Sequence, residues 1–105
     1  MTSGNPYLSR ARVRAALHAL GLRPSRSMGQ NFLIDGTALA TIVSAAALTA
    51  DDTVVEVGPG LGVLTWELVQ RARTVIAVEL DRRLAERLRT ELRAAPNLAI
   101  IQGDV

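Results

Sequence analysis

Three glycines at alternate positions, Gly58, Gly60 and Gly62, follow directly on the apolar run Thr53–Val57. Glycine tolerates positive φ and has no side chain, so such a turn lets a ligand lie against bare backbone. Tight packing between a strand and the next helix accounts for one glycine. Three at alternate positions after a strand favour a nucleoside site. Glu79 stands twenty-one residues after Gly58, at the end of a second apolar run, Thr74–Leu80. A carboxylate there can accept hydrogen bonds from both hydroxyls of a ribose. Its plainer role is a surface pair with Arg82 or Arg83. Asp104 follows Gly103 after a third run, Leu98–Gln102. It can reach an exocyclic amine such as adenine N6, although taken alone it is an ordinary turn residue.

The spacing bears on which nucleoside. Dinucleotide sites use G-x-G-x-x-G, which brings backbone and helix N-terminus up to a pyrophosphate. Counted from Gly58, the third glycine of that pattern falls on Val63. Here the pattern is E-x-G-x-G-x-G, with Glu56 two residues before the first glycine. An added carboxylate suits a pyrophosphate poorly and a cationic ligand well. S-adenosylmethionine carries a sulfonium and an amino group and no phosphate, so the sequence leans to it over NAD.

The elements that must position these residues follow from the periodicity. Ser9 is a fair N-cap for a helix in which Val13, Ala16, Leu17 and Leu20 recur at helical spacing, with Gly21 as its stop. Residues 1–7 read as a flexible lead-in. Residues 22–35 read as a loop punctuated by Pro24, Ser25, Ser27 and Gly29. Asp35 caps a second helix expected over Gly36–Leu48. The period then shortens. Thr53–Val57 is β-branched and reads as a buried strand. Leu61–Ala72 reads as a helix, Thr74–Leu80 as a strand, and the segment after Asp81 as a helix striped by Leu84, Leu88 and Leu92. Pro96-Asn97 turns the chain into the last strand, Leu98–Gln102. The order β-α-β-α-β with short connections implies a parallel sheet with helices packed on it, and two helices precede it. Ligands in such sheets bind beyond the C-terminal strand ends, where the glycine turn, Glu79 and Asp104 all fall.

Composition narrows the chemistry. The 105 residues suffice for one small domain. With no Cys and His18 as the only histidine, disulfides, thiolate metal sites, a cysteine nucleophile and a Ser-His-Asp triad are set aside. No metal is expected. The lack of Cys fits a reducing, cytoplasmic location, and no apolar run approaches the ~20 residues of a membrane span. All twelve cations are Arg, and the first acid is Asp35. Residues 1–34 therefore carry Arg10, Arg12, Arg14, Arg23 and Arg26 unopposed. Such a stretch can be a targeting segment, an arm that touches phosphates, or a solvated basic helix, the commonest of the three.

Four segments together are more specific. Ser27–Asp35 (SMGQNFLID), Val54–Thr65 (VVEVGPGLGVLT), Val75–Leu88 (VIAVELDRRLAERL) and Gln102–Val105 (QGDV) occur in the order and spacing of one family. From about residue 10 to its last residue the chain resembles the N-terminal part of small-subunit (16S) ribosomal RNA adenine N6,N6-dimethyltransferases. G-Q-N-F-L ahead of E-x-G-P-G-x-G is shared with the macrolide-resistance methyltransferases of large-subunit rRNA. The stretch Leu20–Asp35 is closer to the small-subunit group, from which Met28 departs, Leu being common there.

The resemblance implies a Rossmann-like, class I S-adenosylmethionine-dependent methyltransferase fold. Residues 1–34 would form a basic helix and a cofactor-closing loop, and residues 35–105 the N-terminal half of the cofactor-binding α/β domain. Asn31 and Leu33 would close over the methionine end of the cofactor and Gln30 would shape that loop, while Phe32 packs in the core. Gly58 and Gly60 would offer backbone contact, Glu79 would hold the ribose hydroxyls and Asp104 the adenine amine. Glu56 would orient the loop or face the amino group. The implied reaction is an SN2 transfer in which adenine N6 attacks the activated methyl, needing no metal and no strong base. It rests mostly on positioning, with the base splayed from its stack. The arginines at 10, 12, 14, 23 and 26 would contact phosphates without reading sequence. The implied partner is small-subunit rRNA or an immature small subunit, with a role in ribosome biogenesis.

The family's N-L-P-Y motif, which grips the target adenine, follows a fourth strand, and the chain stops before it. The chain is therefore expected to carry no catalytic residue and to transfer no methyl alone. Strand Thr53–Val57 is expected to present an unpaired edge that favours self-association, whereas the intact protein would be a monomer. A large-subunit methyltransferase and a non-catalytic rRNA-binding or assembly module are the alternatives. A Rossmann dehydrogenase is disfavoured by Val63 and Glu56.

Overall fold

The computed structural model describes residues 4–22 and 35–105. A single 3-10 turn, Pro6–Leu8, leads into helix α1 (Arg10–Leu20), and α2 (Gly36–Ala46) comes before the sheet. Strands β1 (Thr53–Val57), β2 (Thr74–Glu79) and β3 (Leu98–Gln102) alternate with helices α3 (Val63–Leu68) and α4 (Arg82–Glu91). The strands are parallel in the order β1-β2-β3, with Val55 beside Ile76 and Ile76 beside Ala99. This is the β-α-β-α-β unit behind two helices that the periodicity calls for.

The caps form where the sequence places them. Ser9 Oγ accepts the Arg12 N–H, and α1 ends on Gly21 at φ 68°. Asp35 Oδ1 accepts the Ala38 N–H at 2.7 Å, and Asp81 Oδ1 accepts those of Arg83 and Leu84 at 2.8 and 3.2 Å. Each such cap is worth about 1 kcal/mol. Two helices are shorter than expected. α2 stops at Ala46 because Ala47 takes a left-handed conformation, φ 48°. The expected Leu61–Ala72 helix is regular only over Val63–Leu68. Beyond it the chain tightens, with Gln70 N–H donating to the Glu67 carbonyl and Arg71 N–H to that of Leu68.

α3 and α4 cover the same face of the sheet. Leu68 of α3 packs with Ala72 on Val75, and Leu88 and Leu92 of α4 pack on Ala77. The leucine stripe is the keel of α4: Leu84, Leu88 and Leu92 are all buried, each contributing about 1.5–3 kcal/mol. α1 packs Val13, Ala16 and Leu17 against Leu61 of the glycine turn and Leu84 of α4. The other sheet face is open: Val55, Val57 and Ile101 are 60, 64 and 52% exposed. The expectation of a buried strand at Thr53–Val57 is therefore corrected, since only Glu56 in it is buried. Two successive crossovers of one hand, stepping the same way across a sheet, put both helices on one side.

The lead-in is not free over its whole described length. Asn5 is buried, and its amide donates to the Val63 carbonyl at 2.8 Å and to Glu67 Oε2 at 2.9 Å. Glu67 Oε1 in turn takes Arg71 Nη1 at 2.8 Å.

Candidate cofactor site

The site is built at the C-terminal ends of three adjacent strands. Past those ends the ladder continues into the loops. Gly58 N–H donates to the Val78 carbonyl and Gly103 N–H to the Glu79 carbonyl, both at 2.9 Å. These bonds draw the glycine turn, Glu79 and the Gly103-Asp104 segment to one rim. Glu79 is its centre. Its Oε1 accepts the Gly60 N–H at 3.0 Å and its Oε2 the Asp81 N–H at 2.9 Å. One buried carboxylate thus joins the loops after β1 and β2, and each oxygen retains a lone-pair position for a further donor. The plainer surface role does not occur: Arg82 pairs with Glu86 and Arg83 with Asp81.

The glycines do different work. Gly58 and Gly60 have φ of 69° and 60°, a region that side chains resist. A Cβ on Gly58 would meet nothing within 4 Å, so its need is conformational and its surface open. Gly62, at φ 97°, is a packing glycine: a Cβ there would lie 2.6 Å from Leu88 Cδ1.

Glu56 lies on the helix-covered face of β1 and accepts the Thr65 hydroxyl at 2.5 Å, tying the strand to the first turn of α3. Burial raises its pKa from 4.5 to about 7; the Thr65 hydrogen bond opposes this and the Glu79 charge adds to it. Asp104 is exposed just beyond β3. Arg10, Arg12 and Arg14 are exposed on α1. Gln30, Asn31, Phe32, Leu33, Arg23 and Arg26 lie outside the described residues. The structure therefore brings Gly58, Gly60, Glu79 and Asp104 to one rim and sets Glu56 beneath it.

Sequence reasoning missed Thr65, Asn5 and Glu67. The Asn5-Pro6 pair was the available signal, since Asn before Pro favours turn initiation. Its partners are 58 and 62 residues away, beyond any local pattern. Among the described residues no group of His, Asp or Glu could hold a metal ion, and no helix is long and apolar enough to cross a membrane.

Residues 22–105 match the family model described as ribosomal RNA adenine dimethylase. The chain is 47% identical over 89 residues to the ribosomal RNA small subunit methyltransferase A of Paenarthrobacter aurescens, covering 85% of this chain and 30% of that protein. Among solved structures it resembles the 23S rRNA methyltransferase ErmE, with TM-score 0.66 and 46% identity over 70% of this chain and 30% of that one. It also resembles a dimethyladenosine transferase from Plasmodium falciparum, with TM-score 0.64 and 30% identity over 68% of this chain and 26% of that one. The chain thus matches 26–30% of the length of these relatives. With the rim of Gly58, Gly60 and Glu79 on a parallel β-α-β-α-β sheet, these matches show that the chain belongs to the ribosomal RNA adenine dimethylase family.

Proposed function

We propose that this chain is the cofactor-binding part of an S-adenosylmethionine-dependent rRNA adenine N6,N6-dimethyltransferase acting on small-subunit rRNA in the cytoplasm. The observation that carries the reading is Glu79, held between the two loops by the Gly60 and Asp81 amides. Its remaining lone pairs suit the two ribose hydroxyls. The rim also fits the cofactor's charge. Gly60 N–H, an amide a pyrophosphate would use, is already given to Glu79. With that amide taken and the Glu79 carboxylate on the rim, a cationic nucleoside is favoured over NAD.

The cofactor supplies an electrophilic methyl. This chain's part is to bind and orient: Glu79 at the ribose, Asp104 at the adenine amine, Gly58 as open backbone, and Gln30, Asn31 and Leu33 as the closing loop. The arginines of α1 would hold rRNA phosphates. The target N6 would attack the methyl and lose its proton after alkylation lowers its pKa, so positioning supplies most of the rate. A second reading, large-subunit rRNA as substrate, is favoured by the 46% identity to ErmE. Labelled S-adenosylmethionine and undermethylated small and large subunits test both. This chain alone is expected to label neither. Fused to the rest of the Paenarthrobacter relative, it is expected to label small subunits; label confined to large subunits would support the second reading.

A further inference from the structure

A cavity of about 450 Å³ opens between the Pro6–Leu8 turn, α1, α3 and α4. None of Gly58, Gly60, Glu56, Glu79 or Asp104 lines it. Its walls combine two aromatic rings, Tyr7 and Trp66, with Arg12, Arg87 and Glu91. Arg87 gives Nη2 to Glu91 at 2.8 Å, and its Nε is buried without a hydrogen-bond partner. A buried guanidinium N–H without an acceptor is costly to leave so. Two cations face one carboxylate there, leaving a net positive wall. Burial, with Glu91 adding and Arg87 and Arg12 opposing, raises the Tyr7 pKa, so its hydroxyl stays a donor at neutral pH. Cations beside aromatic faces suit a phosphate attached to a planar base.

We propose that this cavity takes one unstacked nucleotide of a single-stranded RNA segment, its phosphate on Arg87 and Arg12 and its base against Trp66. The proposal rests on the rRNA reading for its partner and deepens it by naming a contact apart from the cofactor rim.

Trp66 is the only tryptophan in the chain, so its fluorescence reports on this cavity directly. Titrating the chain with oligoadenylate is expected to quench Trp66 saturably. AMP should bind at least tenfold more weakly than the oligonucleotide, and adenosine or inorganic phosphate alone weaker still. Arg87→Gln should weaken binding about 10- to 100-fold, the scale of a lost hydrogen bond to a charged group. Arg12→Gln, at an exposed position that leaves folding intact, should weaken it several-fold. Arg82→Gln, at an exposed position that does not line the cavity, should leave the quench nearly unchanged. Oligoadenylate that binds no better than AMP, or both arginine variants binding like the parent, overturns the proposal. S-adenosylhomocysteine binding, measured separately by calorimetry, reads the cofactor reading alone, so the two can fail independently.

Discussion

Replacing Glu56 with Gln tests how the rim is supported. Gln keeps an oxygen to accept the Thr65 hydroxyl and removes only the ionisable proton. In the folded chain burial holds the Glu56 carboxyl protonated up to about pH 7, against an ordinary value of 4.5. Between those values the folded state keeps a proton that the unfolded state has released, so stability falls as pH rises. Below about 4.5 both states are protonated and the cost is absent; above about 7 both are ionised and it is complete. The gap between 4.5 and about 7, at about 1.4 kcal/mol per pH unit, puts that cost on the order of 3 kcal/mol. Urea unfolding of parent and Glu56→Gln, followed by Trp66 fluorescence at pH 5 and pH 8, reads it directly. Subtracting one protein from the other cancels the groups they share. The variant should match the parent within about 1 kcal/mol at pH 5 and exceed it by about 3 kcal/mol at pH 8. A difference that is the same at both pH values would refute a buried, proton-holding Glu56.

Gly62→Ala should destabilise the chain by about 1–3 kcal/mol in urea unfolding, because its Cβ would fall 2.6 Å from Leu88 Cδ1 at φ 97°; Gly103→Ala, with open space around it, serves as the control. Asn5→Ala removes all three bonds of the buried amide, the Tyr7 N–H accepted at Oδ1 included, and leaves Glu67 with Arg71 alone, a loss of about 1–3 kcal/mol on the same assay. Replacing Arg10, Arg14 and Arg26 with Gln should lower rRNA affinity and flatten its log–log salt dependence by up to about one unit for each phosphate no longer neutralised, with cofactor affinity nearly unchanged.

The sheet was legible because its signals are local. A β-branched run, a glycine turn and a leucine stripe each fix an element within a few residues. The capping residues Ser9, Asp35 and Asp81 fall where the sequence places them for the same reason. What escaped depends on contacts between distant parts of the chain. Nothing near Val55 or Val57 tells that their face is left open; that follows from both crossovers landing on the opposite side. The three glycines look alike in sequence, and only the approach of Leu88 separates Gly62 from Gly58. Glu56 reads as orienting the loop or facing the cofactor's amino group, and its partner here, Thr65 in the first turn of α3, has no local signal. The cavity beside Trp66 gathers residues from four elements and has no linear signature.

The most direct test of the central claim is a titration of this chain with S-adenosylhomocysteine, followed by amide NMR and repeated with Glu79→Ala. Weak, saturable shifts are expected at Gly58, Gly60, Asp81 and Asp104, with no comparable response to NAD and binding weakened by about 1–3 kcal/mol in the variant. Equal binding of NAD, or unchanged S-adenosylhomocysteine affinity in Glu79→Ala, would contradict it.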